Sequence, residues 1–117
     1  GYYVKMDKTH LTRIPNNLIQ NAIQSIPDTK EKKITLKIDD NLKFWSIQIK
    51  DNGMGIKEEI RNKIFEPNFT TKNSGMGLGL AMVKNIINDF GGEISFITKL
   101  GLGTTFFVQI PKFNQKQ

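Results

Sequence analysis

The sequence contains no cysteine, a single histidine and no long apolar run. Without cysteine the chain cannot form disulfide bonds or thiolate metal sites, so nothing in it requires an oxidising compartment. No segment approaches the ~20 apolar residues that a membrane-spanning helix needs, and the opening residues do not have the pattern of a signal peptide. The lysine and arginine residues are scattered rather than interleaved with aromatic ones, which argues against a nucleic-acid groove.

The composition is that of a globular domain, with 38% hydrophobic and 24% charged residues in a chain of 117. A chain of this length is large enough to bury a hydrophobic core and too short to form two stable domains. We therefore expect one domain over residues 1–111 and a disordered tail over residues 112–117. The formal net charge of +6 favours anionic ligands in general, nucleotides among them.

Hydrophobic periodicity predicts both helices and strands along the chain. Apolar residues recur at spacings of three and four in some segments, which indicates helices, and alternate in others, which indicates strands. The expected order is a strand at 2–6, a helix at 11–26, strands at 34–38 and 44–49, a short helix at 57–64, a long polar loop at 65–75, a helix at 78–90, and strands at 94–98 and 104–110. This order predicts an α+β fold, a two-layer α/β sandwich whose mixed, mostly antiparallel sheet carries helices on one face.

Three amide side chains share one edge of the first predicted helix. Asn17, Asn21 and Gln24 fall close together when each residue turns the helix by about 100°. Asn17 and Asn21 are four residues apart, so both amides can reach one ligand, and an amide oxygen is a hard donor that suits Mg²⁺. An ordinary polar helix face is the alternative, and the pair alone does not decide between the two.

The segment Asp51-Asn52-Gly53-Met54-Gly55 directly follows an apolar predicted strand. Its carboxylate would lie at the strand end, where it could accept a hydrogen bond from an exocyclic amine. The glycines would let a ligand approach the backbone closely. The alternative is a simple turn that happens to contain one Asp and two Gly.

A second glycine-rich segment, at residues 75–80, runs directly into the next predicted helix. Exposed N–H groups and the positive end of a helix dipole bind phosphate at such a place. The segment follows no strand and lacks the Gly-Lys-Ser/Thr of a Walker loop, so it matches neither of those nucleotide motifs. Residues 64–72 bring apolar anchors, hydroxyls and the cation Lys72 beside it. A flexible linker and a solvated surface loop are the alternatives for the two segments.

Taken together and in this order, these segments resemble the catalytic domain of sensor histidine kinases, in the wider superfamily of gyrase, Hsp90, kinase and mismatch-repair ATPases. The resemblance covers almost the whole chain, and within the family the sequence is most similar to the nitrogen-regulation subgroup. It implies the Bergerat ATP-binding fold. The segments correspond to an N box at 17–22, a G1 box at 51–55, an F box at 65–72, a G2 box at 75–80 and a closing G3 segment at 101–106.

The resemblance implies a site for ATP and Mg²⁺ built from these boxes. Asn21 would be the Mg²⁺ ligand, Asp51 would bind the adenine amine, and Thr105 would join a water-mediated adenine contact. Asn17 and Lys72 would act in the transfer step. The whole set of expected nucleotide contacts is Asn17, Asn21, Gln24, Asp51, Gly53, Gly55, Ile56, Phe65, Thr71, Lys72, Gly75, Met76, Gly77, Leu78, Gly79, Leu80 and Thr105.

Two features depart from the family pattern. Pro15 lies inside the first predicted helix and lacks a backbone N–H, so we expect the first turns to start late or to kink. The dimerisation segment that carries the phosphorylated histidine is also absent, and His10, at the start of the first helix, is not expected to replace it. By resemblance, the chain would be the catalytic domain of a protein-histidine kinase that donates the γ-phosphate of ATP to a separate dimerisation domain of the same protein.

Two other functions stay open. An ATP-hydrolysing clamp would need a glutamate one turn before the metal-binding asparagine, but that position holds Asn17, which cannot act as a general base. A nucleotide-sensing module without catalysis is the second alternative. We expect an isolated monomeric, cytoplasmic domain whose parent protein is a homodimer anchored in the inner membrane, with a response regulator as downstream partner.

Overall fold

The computed structural model describes residues 8–67 and 80–112, of which residues 8–12 are described by their backbone alone. Within these ranges, two α-helices and four strands follow one another, with one 3₁₀ turn between them. The elements are α1 (Lys8–Ser25), β1 (Ile34–Asp40), β2 (Phe44–Asp51), the 3₁₀ turn (Glu58–Ile60), α2 (Leu80–Asp89), β3 (Glu93–Lys99) and β4 (Gly103–Pro111).

The four strands form one antiparallel sheet in the order β1-β2-β4-β3. The last of the described strands, β4, therefore lies inside the sheet and pairs with both β2 and β3, with Phe106 opposite Ile49. The hairpin between β1 and β2 closes at Asn41. Its side-chain oxygen accepts hydrogen bonds from the N–H groups of Lys43 and Phe44 at 2.8 and 2.7 Å, a local bond that favours turns.

Both helices pack on the same face of the sheet. Every second residue of β4 is buried there, and the residues between them point to the other face and are less buried. The core between the layers is formed by apolar side chains from both helices, the strands and the connecting loops, including Ile14, Leu18, Ala22, Ile49, Ile56, Ile64, Leu80, Val83, Ile87, Phe106, Val108 and Ile110. The predicted α+β two-layer fold is confirmed.

Two local predictions are wrong. Of the two expectations for Pro15, the late start is wrong, since helix α1 begins at Lys8 and continues through Pro15 to Ser25, and the kink stays a prediction. Ile14 and Leu18 on either side of the proline are both 1% exposed, and this packing holds the helix together where one backbone hydrogen bond is lost. The expected short helix at 57–64 is a 3₁₀ turn of three residues followed by further turns. The strand expected at 2–6 lies outside the described residues.

None of the described helices is long and apolar enough to cross a membrane. Helix α2 is amphipathic and ten residues long, with Leu80, Val83, Ile86 and Ile87 buried in the core. Helix α1 is longer but carries mostly polar residues on its outer side, such as Asn16, Gln20 and Gln24.

Candidate functional site

Three segments that are distant in sequence meet where β2 ends. They are the end of α1, the loop after β2, and the turn between β3 and β4. The N–H of Met54 donates to the carbonyl of Ser25 at 3.1 Å, and the N–H of Gly101 donates to the carbonyl of Met54 at 2.8 Å. Backbone hydrogen bonds thus link all three segments, and they surround the side chain of Asp51.

Asp51 is the last residue of β2 and only 5% exposed. Its Oδ1 accepts hydrogen bonds from the N–H of Gly53 at 2.8 Å and from the N–H of Thr104 at 3.3 Å. Burial raises the pKa of the Asp51 carboxyl, while these two donors, the Ser25 hydroxyl and the positive charge of Lys30 act in the opposite direction. Carboxyls with a shifted pKa cluster at functional sites, so Asp51 is a candidate binding residue, while its bond from the N–H of Gly53 also belongs to an Asx turn.

Three glycines near Asp51 lie where the backbone of neighbouring segments leaves no room for a side chain. A Cβ on Gly53 would collide with the hydroxyl and carbonyl oxygens of Ser25, and a Cβ on Gly103 would collide with the carbonyl oxygen of Asp51. Gly55 has a φ of +80°, and its Cβ would lie 2.5 Å from the carbonyl oxygen of Lys99. The predicted roles of Gly53 and Gly55 in shaping the pocket fit this geometry.

A pair of threonine hydroxyls joins β3 to β4 at the same end of the sheet. The Oγ1 atoms of Thr98 and Thr104 are 2.8 Å apart, and the N–H of Ile56 donates to Thr98 Oγ1 at 2.8 Å. Thr104 is 3% exposed and lies on the buried face of β4. The hydroxyls therefore connect β3 and β4 to the loop that contains the G1 box.

The structure does not bring Thr105 to this cluster. Successive residues of a strand point to opposite faces, so Thr105 lies on the outer face of the sheet when Thr104 points inward. In the sheet, Thr105 of β4 is paired with Lys50 of β2 and not with Asp51. The neighbouring Thr104, through its N–H and its place on the buried face, occupies the position that the sequence assigns to Thr105.

The predicted amide residues of α1 differ in their burial. Asn21 is 2% exposed and donates its side-chain N–H to the carbonyl of Asn17 at 3.0 Å. Asn17 is half-buried and donates in the same way to the carbonyl of Arg13 at 2.7 Å. Both amides are thereby held along the helix by their nitrogen atoms, and the oxygen is the atom that could coordinate a cation. Gln24 is exposed, and its nucleotide contact stays a prediction.

Three more predicted contacts lie in or next to the core. Ile56 is 1% exposed and Leu80, the first described residue of α2, is fully buried. The ring of Phe65 lies 6.1 Å from that of Phe96 and 6.4 Å from that of Phe106. Phe65 therefore anchors the start of the F box to the sheet, and its contact with a nucleotide stays a prediction.

The other predicted site residues lie outside the described residues. They are Thr71, Lys72, Gly75, Met76, Gly77, Leu78 and Gly79, which belong to the F and G2 boxes. Within residues 8–67 and 80–112, no group of three or more His, Cys, Asp or Glu side chains could hold a metal ion. An amide oxygen such as that of Asn21, together with water and phosphate oxygens, is a suitable set of ligands for Mg²⁺.

Ser25 and Thr104 are close to Asp51 and Thr98 is bonded to Thr104, but none of the three is among the predicted contacts. A signal exists for two of them. Ser25 is four residues after Asn21 on the same helix, and Thr104 is in phase with the apolar residues Phe106 and Val108 of β4. Thr98 reaches the site through strand pairing, which the sequence alone does not reveal.

Known proteins with a similar sequence or fold point to one class. The model of histidine kinase-, DNA gyrase B- and HSP90-like ATPases matches residues 6–114. A probable C4-dicarboxylate sensor kinase of Halalkalibacterium halodurans is 38% identical over 89% of this chain and 20% of its own length. Sporulation kinase A of Bacillus subtilis is 37% identical over 94% of this chain and 18% of its own length. The chain thus spans about a fifth of the length of these curated relatives.

A solved structure agrees with this similarity. The catalytic domain of histidine kinase ThkA, in a nucleotide-free form, is 34% identical, with a TM-score of 0.79 over 94% of this chain and 72% of that one. The nitrogen-regulation subgroup is not among the findings from these comparisons and stays a prediction.

Proposed function

Because the chain belongs to the histidine kinase-, DNA gyrase B- and HSP90-like ATPase family, we propose that it binds Mg²⁺-ATP and presents the γ-phosphate to a histidine on a separate domain. The resemblance to catalytic domains of sensor histidine kinases is confirmed by the relatives and the matching structure. The parent protein would then be a sensor kinase with a response regulator as partner, and this domain would lie in the cytoplasm.

The buried Asp51 carboxyl is the observation that supports this function best. Adenine has an exocyclic amine, which can donate a hydrogen bond to a carboxylate. Guanine has a carbonyl oxygen at the same ring position, which cannot donate one. The backbone at Gly53, Gly55 and Gly103 leaves no room for side chains next to the carboxyl. These glycines let the loop after β2 pack directly against Ser25 and against the turn between β3 and β4, and let that turn pack against the end of β2, which supports the backbone around the carboxyl.

Asn21 is the residue that fits a bound Mg²⁺. Its amide is fixed by the hydrogen bond to the Asn17 carbonyl, so the oxygen has a defined direction. Mg²⁺ takes few protein ligands and several from water and phosphate, so one amide oxygen is a sufficient protein contribution. When bound, the ion would neutralise charge on the phosphates.

The half-buried Asn17 favours transfer to a histidine over hydrolysis of ATP. An amide cannot take a proton from a water molecule at neutral pH. The chain would therefore position the nucleotide and leave the attack to a nucleophile that another domain supplies. Hydrolysis by a clamp-type ATPase is the alternative function, and it is disfavoured by the same residue.

Calorimetry with ATP and GTP tests base selectivity. GTP should bind at least about fivefold more weakly than ATP, because two acceptors would face each other in the pocket. Asp51→Asn should abolish the preference. The matched control is Asp39→Asn, which removes the same charge from an exposed position of β1. Equal affinities for both nucleotides in the unsubstituted chain would refute the assignment of Asp51.

Incubation with labelled ATP tests the transfer. The chain alone should remain unlabelled, and a separately supplied dimerisation domain that carries a phosphoacceptor histidine should become labelled. Release of inorganic phosphate without labelling of that domain would favour the clamp-type ATPase.

A further inference from the structure

A nucleotide bound as proposed would lie along helix α1. Its adenine would be at Asp51, beside the end of the helix, because the N–H of Met54 in the same loop donates to the carbonyl of Ser25 at 3.1 Å. Asn21, the proposed Mg²⁺ ligand, is one turn before Ser25, and Asn17 is one turn before Asn21. The nucleotide would therefore extend from the C-terminal end of α1 towards its N-terminal end, with the terminal phosphate farthest from the base.

Arg13 is the next residue along this edge of α1, one turn before Asn17. Each residue turns the helix by about 100°, so Arg13, Asn17 and Asn21 fall within about 80° of one another. Hydrogen bonds follow the same edge. The side-chain N–H of Asn21 donates to the carbonyl of Asn17 at 3.0 Å, and that of Asn17 donates to the carbonyl of Arg13 at 2.7 Å. Arg13 is thus the next side chain on this edge beyond the two amides.

The side chain of Arg13 reaches from α1 to α2. Its Nη1 donates to the sulfur of Met82 at 3.7 Å, and Met82 is the third residue of α2. The guanidinium therefore lies at the N-terminal turn of α2, where the helix dipole favours negative charge. The glycine-rich segment that is expected to bind phosphate, at residues 75–80, leads into this same turn.

No carboxylate of residues 8–67 or 80–112 neutralises the charge of Arg13. The ion pairs in these ranges join Lys32 to Asp28 and Lys112 to Asp40. Arg13 is exposed, and the Met82 sulfur is a weak acceptor that takes only one of its N–H groups. Phosphate oxygens are the ligands that the planar fork of a guanidinium binds best, through two parallel hydrogen bonds.

We propose that Arg13 binds the terminal phosphate of ATP and makes this domain prefer the triphosphate to the diphosphate. This inference rests on the proposed function, since it requires an adenine nucleotide along α1. Asn21 lies in the middle of that path, where ADP and ATP both have phosphate. Arg13 lies about 12 Å farther along the helix axis, on the side away from the adenine, where only the triphosphate extends.

Calorimetry with ADP and with the non-hydrolysable analogue β,γ-imido-ATP, both in the presence of Mg²⁺, tests the proposal. Arg13→Gln should weaken binding of the analogue by about tenfold and change ADP binding by less than about twofold, because ADP has no phosphate at this position. Arg13→Lys should recover part of the loss, since lysine restores the charge but not the fork. Glutamine forms helices about as well as arginine, so the fold should persist.

Lys37→Gln is the matched control, because it removes the same charge from an exposed residue of β1 on the outer face of the sheet. It should change neither affinity. Equal losses for both ligands in Arg13→Gln would mean that Arg13 only supports the packing of α1 and α2, and an unchanged affinity for the analogue would mean that Arg13 does not touch its terminal phosphate. Either result overturns the proposal. If the unsubstituted chain binds neither nucleotide, the proposed function itself has failed, and this inference with it.

Discussion

Among single residues, Asp51 combines a cost in stability with a proposed role in binding. Burial raises the pKa of its carboxyl above the ordinary 3.8. A raised pKa means that the folded state binds the proton more tightly than the unfolded chain does. The contribution to stability is thus fully present below about pH 3.8 and is lost as the pH rises through the folded pKa. At neutral pH, the ionised carboxyl lowers the free energy of unfolding.

We therefore expect Asp51→Asn to raise the melting temperature at pH 7 in the absence of nucleotide. The amide oxygen can still accept from Gly53 and Thr104, while the buried charge is removed. The gain should shrink as the pH is lowered toward 3.8, where both chains are uncharged at this position. Thermal melting at several pH values measures it, with the exposed Asp39→Asn as control. A difference that does not change with pH would contradict this account of Asp51.

A second prediction at this scale concerns Asn21. Because the side chain is 2% exposed and hydrogen-bonded, Asn21→Ala should lower the free energy of unfolding by about 1 kcal/mol. It should also weaken nucleotide binding in the presence of Mg²⁺ by more than about tenfold, with a much smaller effect when Mg²⁺ is chelated. Calorimetry with and without the metal measures both affinities.

The control for Asn21 is the exposed Asn16→Ala on the same helix, which should leave both affinities unchanged. An undiminished response of Asn21→Ala to Mg²⁺ would remove this residue from the metal site. The burial of Asn21 was not predictable from the helical spacing, because that spacing places Asn21 on a polar edge of the helix. Only the packing of α1 against the loop and the sheet covers that edge.

Thr104 and Thr105 show a second limit of the sequence at the scale of residues. Thr104 and Thr105 are the same residue type and stand side by side in the same motif, so the motif alone does not say which of them faces the base. The phase of the apolar residues Phe106, Val108 and Ile110 does, because residues of the same parity share a face. The register then places Thr104 beside Asp51 without further assumptions.

At the scale of elements, helix α1 tolerates a proline in its interior. Pro15 removes one backbone hydrogen bond, and its ring crowds the preceding turn. Pro15→Ala should therefore raise the free energy of unfolding by about 1 to 3 kcal/mol. Urea denaturation measures the gain, and Asn16→Ala reports the few tenths of a kcal/mol expected from helix propensity alone. If Pro15→Ala is no more stable than this control, the tertiary packing has already compensated for the missing bond.

The turn between β3 and β4 contains two glycines with different constraints. Gly101 has a φ of +81°, and a Cβ added there would meet no atom within 4 Å, whereas Gly103 has a φ of +133° and lies against the carbonyl of Asp51. Gly101→Ala should cost about 1 kcal/mol from backbone conformation alone and leave ADP binding unchanged. Gly103→Ala should cost about 3 kcal/mol and also weaken ADP binding, since the end of β2 must move.

Urea denaturation and calorimetry of both glycine variants separate backbone strain from displacement of the site. Equal ADP affinities in Gly101→Ala and Gly103→Ala would show that the end of β2 does not support the carboxyl. The sequence predicts this turn from its glycines. It does not indicate that Gly103 touches the strand of the G1 box, because that contact arises only when β2 and β4 pair.

For the whole molecule, the sequence predicts the two layers, the antiparallel strands and the segments that meet at the site. Local periodicity and turn residues are sufficient for this, since each is decided within a few neighbouring positions. The order of the strands is different. No short stretch of sequence specifies that β4 lies between β2 and β3, because the pairing of strands depends on segments that are distant in the sequence. The contact of Ser25 with the G1 box was hidden for the same reason.

The central place of β4 has a consequence for synthesis on the ribosome. Among the described strands, β3 pairs only with β4, and Asp51 receives one of its donors from Thr104 at the start of that strand. The strands β1 and β2 can pair before the rest of the sheet is made, but β3 has no partner among the described strands until β4 has been translated. We therefore expect the surroundings of Asp51 to be completed late in synthesis, when β4 inserts between two strands that were made before it.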